Sequence, residues 1–184
     1  PEVVDEDAVP EILEAARGAS ALAIGPGLGR HPATLSAVRQ ILRGFSVPTV
    51  LDADGLYALR PSVRALPHGR RYVPTPLPTW SSADSPERRE ETEPVRDLAL
   101  VASLALRGDP TVRWTRAPLV LTPHPGEMAA ILDMSVAEVQ ANRVAAALAC
   151  AKRFGAVALL KGCRTIIADA AGRVAINPTA VSYT

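Results

Sequence analysis

Apolar residues at Val9, Ile12, Leu13 and Ala16 recur with the spacing of one helical face, and Gly18 stops the run. Glu2 to Ala16 therefore predicts a surface helix. Ala19 to Ile24 reads as a short buried strand. A second amphipathic stripe (Leu35, Val38, Ile41, Leu42) follows the glycine-rich turn and closes at Gly44. V-P-T-V-L, ending at Leu51, predicts the next strand, with a short helix over Leu56 to Leu59. The apolar run from Leu119 stops abruptly at Pro123 and Pro125, and helical spacing resumes near Glu127. Ser135 and Glu138 have the spacing of a capping box. One helix is expected from there through Val139, Val144, Leu148 and Ala151 to Gly155, with Asn142 and Arg143 mid-helix and facing solvent. Ala156 to Leu160 is a fully apolar strand. Ile166 to Ala168 and Arg173 to Ile176 flank a turn at Asp169–Gly172 and predict a hairpin beside a parallel sheet.

Arg60 to Pro118 differs in kind. It holds nine of the chain's 17 prolines and the charge cluster Glu87 to Glu91, a composition poor in the surface that drives ordering. It reads as an insertion or lid, with Pro67 to Glu93 expected to lack order and one helix over Val95 to Leu106. Trp80 and Trp114 are candidate anchors for it, and His68 reads as a solvated loop residue.

Composition narrows the class. The 184 residues suit one domain, and the net charge is +1 with 20 basic and 19 acidic residues. That balance implies no long-range field and argues against a nucleic-acid partner. No apolar run approaches the roughly 20 residues of a membrane helix, and the acidic start (Glu2, Asp5, Glu6, Asp7) is the reverse of a secretory signal. Two cysteines, Cys150 and Cys163, make no disulfide framework. The chain reads as cytoplasmic.

The candidate chemistry lies at strand ends, where open α/β sheets bind ligands. Gly25-Pro26-Gly27-Leu28-Gly29 joins a strand to a helix. It can present backbone N–H groups to an anion, or serve only as a tight turn. Asp52 and Asp54 straddle the next strand end; they can bind magnesium, act as a base, or cap the following helix. His124 sits in a stiff loop between two prolines. Lys161-Gly162-Cys163-Arg164-Thr165 can meet a phosphate through the lysine and the hydroxyl, or be an exposed turn.

G-P-G-L-G, D-A-D-G-L and T-P-H-P-G-E, in that order and followed by K-G-x-x-T, resemble the NAD(P)H-hydrate dehydratase family, a branch of the ribokinase-like fold. The likeness covers roughly Pro1 to Leu59 and Pro118 to Thr179. It implies an α/β three-layer sandwich with a mainly parallel sheet, incomplete at both termini. Residues 1–184 would form one partial domain with 60–118 inserted. The implied activity is that of a metabolite-repair lyase, removing water from hydrated NADH or NADPH at the expense of ADP or ATP, with Mg2+. Hydroxide leaves poorly and phosphate readily, so the implied chemistry activates the hydroxyl before elimination.

By motif, Gly29 and the run His124, Pro125, Gly126, Glu127, Met128, Ala129 and Ala130 would line the hydrated dinucleotide. Lys161, Gly162, Cys163, Arg164 and Thr165 would hold the driving nucleotide. Asp52 and Asp54 would be rim carboxylates, and no metal ligand is assigned. The family's catalytic Asp, in a G-G-x-G-D loop, is expected beyond Thr184, so the 184 residues alone are expected to be inactive. The partner implied is the small-molecule substrate, with no nucleic acid and no membrane, and a homo-oligomer is left open. The alternatives are a non-catalytic relative that binds a nucleotide or a partner, and a small-molecule kinase of the same superfamily.

Overall fold

The structure, a computed structural model, describes residues 3–60 and 117–178. The expectations for Pro67 to Glu93, the helix over Val95 to Leu106, His68, Trp80 and Trp114 fall outside these residues. Six strands form one sheet in sequential order: β1 (Leu22–Ile24), β2 (Thr49–Leu51), β3 (Leu119–Leu121), β4 (Val157–Leu160), β5 (Thr165–Ala168) and β6 (Val174–Asn177). The first four run parallel, and β5 and β6 turn back antiparallel as the expected hairpin.

The register sorts the side chains by face. Leu51, Leu121, Ala158 and Ala168 align across the sheet and are buried, with Leu119, Leu160 and Ile166, under the helices. Full burial of each large side chain stabilises by about 1.5–3 kcal/mol. The other face carries Ala23, Val50, Val120, Val157, Leu159 and Ile167, none of them buried. The described residues thus supply the sheet and one helical layer.

That layer consists of α1 (Val9–Ala15), α2 (Pro32–Gly44), α3 (Pro125–Leu132), α4 (Val136–Ala141) and α5 (Arg143–Phe154). α1 starts at Val9, with the apolar stripe, and not at Glu2 as expected. Asp5 accepts the Asp7 N–H and caps a 3₁₀ turn over Glu6–Ala8 instead. Pro32 opens α2 where its missing N–H costs nothing, and Val38 and Leu42 point into the core. α5 is rich in alanine on its buried side, so it lies close against β4 and β5. Gly155 ends it in the left-handed conformation, φ 60. Cys150 is fully buried in this helix, and burial pushes its thiol up to about 12, which leaves it an inert core residue.

Two local expectations are corrected. The single helix beyond Ser135 is two helices, broken at Asn142 (φ −143, ψ 71), whose side chain accepts the Ala145 N–H and caps α5. The short helix near Leu56 is a 3₁₀ segment over Ala53–Leu59. No helix among the described residues is long and apolar enough to cross a membrane.

Candidate active site

The parallel register places the ends of β1, β2, β3 and β4 along one rim. The ladder continues past the strands: Asp52 N–H donates to Ile24 O, Thr122 N–H to Leu51 O and Lys161 N–H to Pro123 O, at 3.0, 3.1 and 2.9 Å. The glycine, aspartate, histidine and lysine loops therefore lie side by side in that order.

The glycine and aspartate loops touch through their backbones. A Cβ on Gly25 would stand 1.7 Å from Asp52 O, and one on Gly55 would stand 3.0 Å from Gly25 Cα. These two glycines exist for close approach. Gly29, at φ +72 in open space, serves the turn itself.

Neither aspartate caps the 3₁₀ segment, against the commonest reading of such residues. Asp52 sits at the N-cap position without a side-chain cap bond, and its Oδ1 accepts from Lys161 Nζ at 2.7 Å, bridging β2 to β4 across β3. Asp54 Oδ2 accepts the Gly29 N–H at 3.1 Å, and Oδ1 accepts Arg30 Nε–H at 2.8 Å. The Arg30 guanidinium lies 3.8 Å from the centre of the Tyr57 ring. Its bond to Asp54 pushes it above its already high ordinary pKa. Between the aspartates, Ala53 holds a left-handed φ of 47, a conformation that costs energy and persists because its neighbours are anchored on both sides.

His124 caps α3. Its Nδ1 accepts from Gly126 N–H at 2.9 Å and Glu127 N–H at 3.3 Å, while Glu127 Oε2 accepts the His124 N–H at 2.8 Å. An accepting Nδ1 puts the ring proton on Nε2. The helix starts at Pro125, two residues before the position that spacing suggested, because the imidazole does the work usually given to Ser or Asp. Met128 N–H is already bonded to His124 O, so the first turn of α3 keeps no spare donor for an anion. What this loop offers a ligand is the imidazole, 54% exposed. Met128 and Ala129 belong to the hydrophobic core, Ala130 is half-buried, and Glu127 is buried at the cap.

At the lysine loop, Thr165 Oγ donates to Gly162 O at 3.1 Å, Cys163 is exposed, and Arg164 takes φ 57. The loop is seated on a residue that spacing placed in solvent. Arg143 Nη1 donates to Cys163 O at 2.5 Å, and Nη2 reaches Leu160 O and Lys161 O, both at 3.3 Å. Because Asn142 breaks the helix, Arg143 opens α5 and turns under the loop. A Cβ on Gly162 would stand 2.8 Å from Arg143 Nη2, which explains that glycine. The signal for Arg143 was present as an Asx cap three residues before Ala145; Arg30 directly after Gly29 was a second overlooked residue.

Burial opposes ionisation of Asp52, but hydrogen bonds from Lys161, Thr122 and the Ala53 amide outweigh it and hold the carboxyl below its usual range. A lowered folded-state pKa contributes stability above the unfolded value, about 3.9, and loses it as pH falls through the folded value. Carboxyl NMR titration is expected to place the Asp52 midpoint below about 3.9. In Lys161→Met the midpoint rises, since burial remains and the main attraction is gone; an unchanged midpoint would mean the pair does not form.

The family model for NAD(P)H-hydrate dehydratase matches residues 2–79 and 99–184. The chain belongs to the NAD(P)H-hydrate dehydratase family. The break in the match, 80–98, falls within the proline-rich segment. The chain is 36% identical over 176 residues to the bifunctional NAD(P)H-hydrate repair enzyme of Moorella thermoacetica, covering 96% of this chain and 24% of that protein. It is 32% identical over 166 residues to the corresponding enzyme of Thermofilum pendens, covering 90% and 23%. The chain thus spans about a quarter of the length of these relatives. Its fold is similar to that of the ADP/ATP-dependent NAD(P)H-hydrate dehydratase of Bacillus subtilis co-crystallised with ATP/Mg2+. That likeness has a TM-score of 0.52 at 24% identity and covers 95% of this chain and 51% of that one. A ribokinase-like superfamily protein of Enterococcus faecalis also scores 0.52, at 15% identity, over 97% and 46%. The ribokinase-like α/β fold is therefore shown, and this dehydratase-family chain places all four of its motif loops on one rim.

Proposed function

We propose that the protein removes water from hydrated NADH or NADPH in a nucleotide-dependent reaction, with the glycine and histidine loops as the dinucleotide lip and the lysine loop as the nucleotide lip. The observation that carries this reading is the knitting of the four loops at one rim by the Asp52–Lys161 and Asp54–Gly29 contacts, with the histidine loop tied in by the Thr122 N–H to Leu51 O and Lys161 N–H to Pro123 O bonds. Gly29 and the loop that opens at His124 form the dinucleotide side, the latter through the imidazole edge and the part-exposed Pro125 and Gly126, with Glu127, Met128 and Ala129 packed behind them and Ala130 half-buried. Lys161 to Thr165 form the nucleotide side. ADP or ATP, when bound, supplies the phosphoryl group that makes the hydroxyl a leaving group. Lys161 meets its phosphates, exchanging the Asp52 carboxylate for a phosphate oxygen of like charge.

The described residues do not cage a cation: no group of three His, Cys, Asp or Glu is gathered among them. They fit magnesium in the manner usual beside phosphates, where one or two carboxylates suffice, and Asp52 is the residue that would share it. Asp54 is engaged by Gly29 and Arg30. A soluble coenzyme and a soluble nucleotide as substrates suit a cytoplasmic location.

The test is restoration of dihydronicotinamide absorbance when full-length protein meets hydrated NADPH with ADP or ATP. Nucleotide-dependent recovery is expected; no recovery with either nucleotide overturns the reading. His124 separates structure from binding. His124→Ala is expected to cost about 1–2 kcal/mol through the lost cap, and His124→Asn to regain most of that. Both should weaken dinucleotide binding. An Asn variant with native stability and native dinucleotide affinity would remove the imidazole from the site.

A further inference from the structure

We propose that Arg30 is a phosphate-binding residue of the dinucleotide lip, its guanidinium fixed by Asp54 and Tyr57 so that its Nη edge receives a phosphate of the substrate. This rests on the function proposed above. Arg30 belongs to none of the motifs that define the site. It follows Gly29 directly, and one carboxylate controls both residues: Asp54 Oδ2 takes the Gly29 N–H and Oδ1 takes Arg30 Nε–H. The loop backbone and the guanidinium are thus set relative to each other by a single side chain. The Tyr57 ring, 3.8 Å away, fixes the guanidinium plane. Tyr57 and Asp54 lie in the same 3₁₀ segment, so the support moves as one piece.

What remains open is the part that recognises oxyanions. A guanidinium has five N–H donors. Here Nε–H has an acceptor, and the Nη donors have none among the described residues, while the side chain is 56% exposed. Glu127 of the histidine loop is near enough to interact with Arg30 by charge, so Arg30 lies within charge range of the loop proposed to hold the dinucleotide. Half-exposed ion pairs add little to stability, so stability alone does not account for this arrangement. A guanidinium held on two sides loses little freedom when it binds, and its planar fork matches two phosphate oxygens at once. Asp54 offsets the charge, so directional hydrogen bonds rather than net charge would carry the recognition. The substrate offers two such groups, the pyrophosphate common to hydrated NADH and NADPH and the 2′-phosphate of the latter alone.

Arg30→Gln, Arg30→Lys and Tyr57→Leu are made in the full-length protein. Calorimetry measures binding of inorganic pyrophosphate, NADH and NADPH, and kinetics give KM for hydrated substrate and for nucleotide. Arg30→Gln is expected to weaken pyrophosphate and both dinucleotides about 10-fold or more, without rescue by Lys and with nucleotide KM unchanged. Tyr57→Leu should give a smaller loss in the same ligands. A loss confined to NADPH assigns the 2′-phosphate instead of the pyrophosphate. Weaker pyrophosphate binding in Arg30→Gln, in a protein that restores no NADPH, keeps the anion site and removes the dehydratase reading. Wild-type affinity for all three ligands in Arg30→Gln, or full rescue by Lys, overturns the proposal.

Discussion

Gly25→Ala is expected to destabilise the protein by about 3–5 kcal/mol and to disorder the rim. Two effects add at this position. The added methyl would stand 1.7 Å from Asp52 O, and the obstacle is backbone that is itself bonded to the Gly55 N–H. It cannot swing aside as a side-chain tip would, and overpacking of this kind costs roughly 1–3 kcal/mol or more. Gly25 also holds φ +145, which L-residues rarely adopt and which adds about 1–3 kcal/mol. The controls are nearby. Gly27 has φ +77 in open space, and Gly18 has open space without a positive φ. Alanine at Gly27 should cost only the left-handed penalty, about 1–2 kcal/mol, and alanine at Gly18 should be neutral or slightly stabilising. Urea melts of the three variants should rank them in that order. A Gly25 variant as stable as the Gly27 one would mean that the first two loops are not in contact.

Arg143→Met is expected to cost about 1–3 kcal/mol and to loosen the lysine loop selectively. Three backbone acceptors, Leu160 O, Lys161 O and Cys163 O, converge on this one guanidinium, and bonds from a charged donor contribute about 1.5–3 kcal/mol each when isolated. The expected loss is smaller than their sum. The Nε–H is buried without an acceptor among the described residues, so removing the side chain also relieves an unmet donor. Lysine should recover little, since a point charge cannot span three carbonyls as a planar fork does. The functional signature is asymmetry: nucleotide affinity falls while dinucleotide affinity holds, because Gly29 and His124 are seated on other elements. Denaturant melts with calorimetric titration of both ligands check this. Equal loss of both ligands would make Arg143 a general stability residue.

The strand ends were legible because glycine and proline punctuate them, and the sheet because each buried strand is short and apolar. The β5–β6 hairpin followed from its turn residues. The roles of the two aspartates depend on partners distant in sequence. Asp52 resembles a helix cap, yet its partner Lys161 is 109 residues on, and a local preference worth about 1 kcal/mol gives way to an ion pair. Asp54 does the same with Gly29 and Arg30. His124 was noticed as chemistry, but its cap role was not, since histidine is no favoured N-cap. Asn142 lies within an apolar spacing (Val139, Val144, Leu148) that suits one helix, and the break shows in its backbone, φ −143 and ψ 71, and in its side-chain bond to the Ala145 N–H. Once the helix is broken, Arg143 changes from a solvated residue to the support of the lysine loop.

The central claim is that the motif loops share one ligand-bearing rim at the carboxyl ends of β1 to β4. A crystal structure of the full-length protein soaked with ADP and NADPH tests it most directly. The account predicts adenine-nucleotide phosphates against Lys161 to Thr165, with Lys161 drawn off Asp52, and the dinucleotide against Gly29 and His124 on the same rim. The cleft of about 410 Å³ at the opposite rim, lined by Leu13, Arg17 and Gly44 to Val47, is the place to look for contradiction. Either ligand seated there, with the four loops left bare, would refute the account.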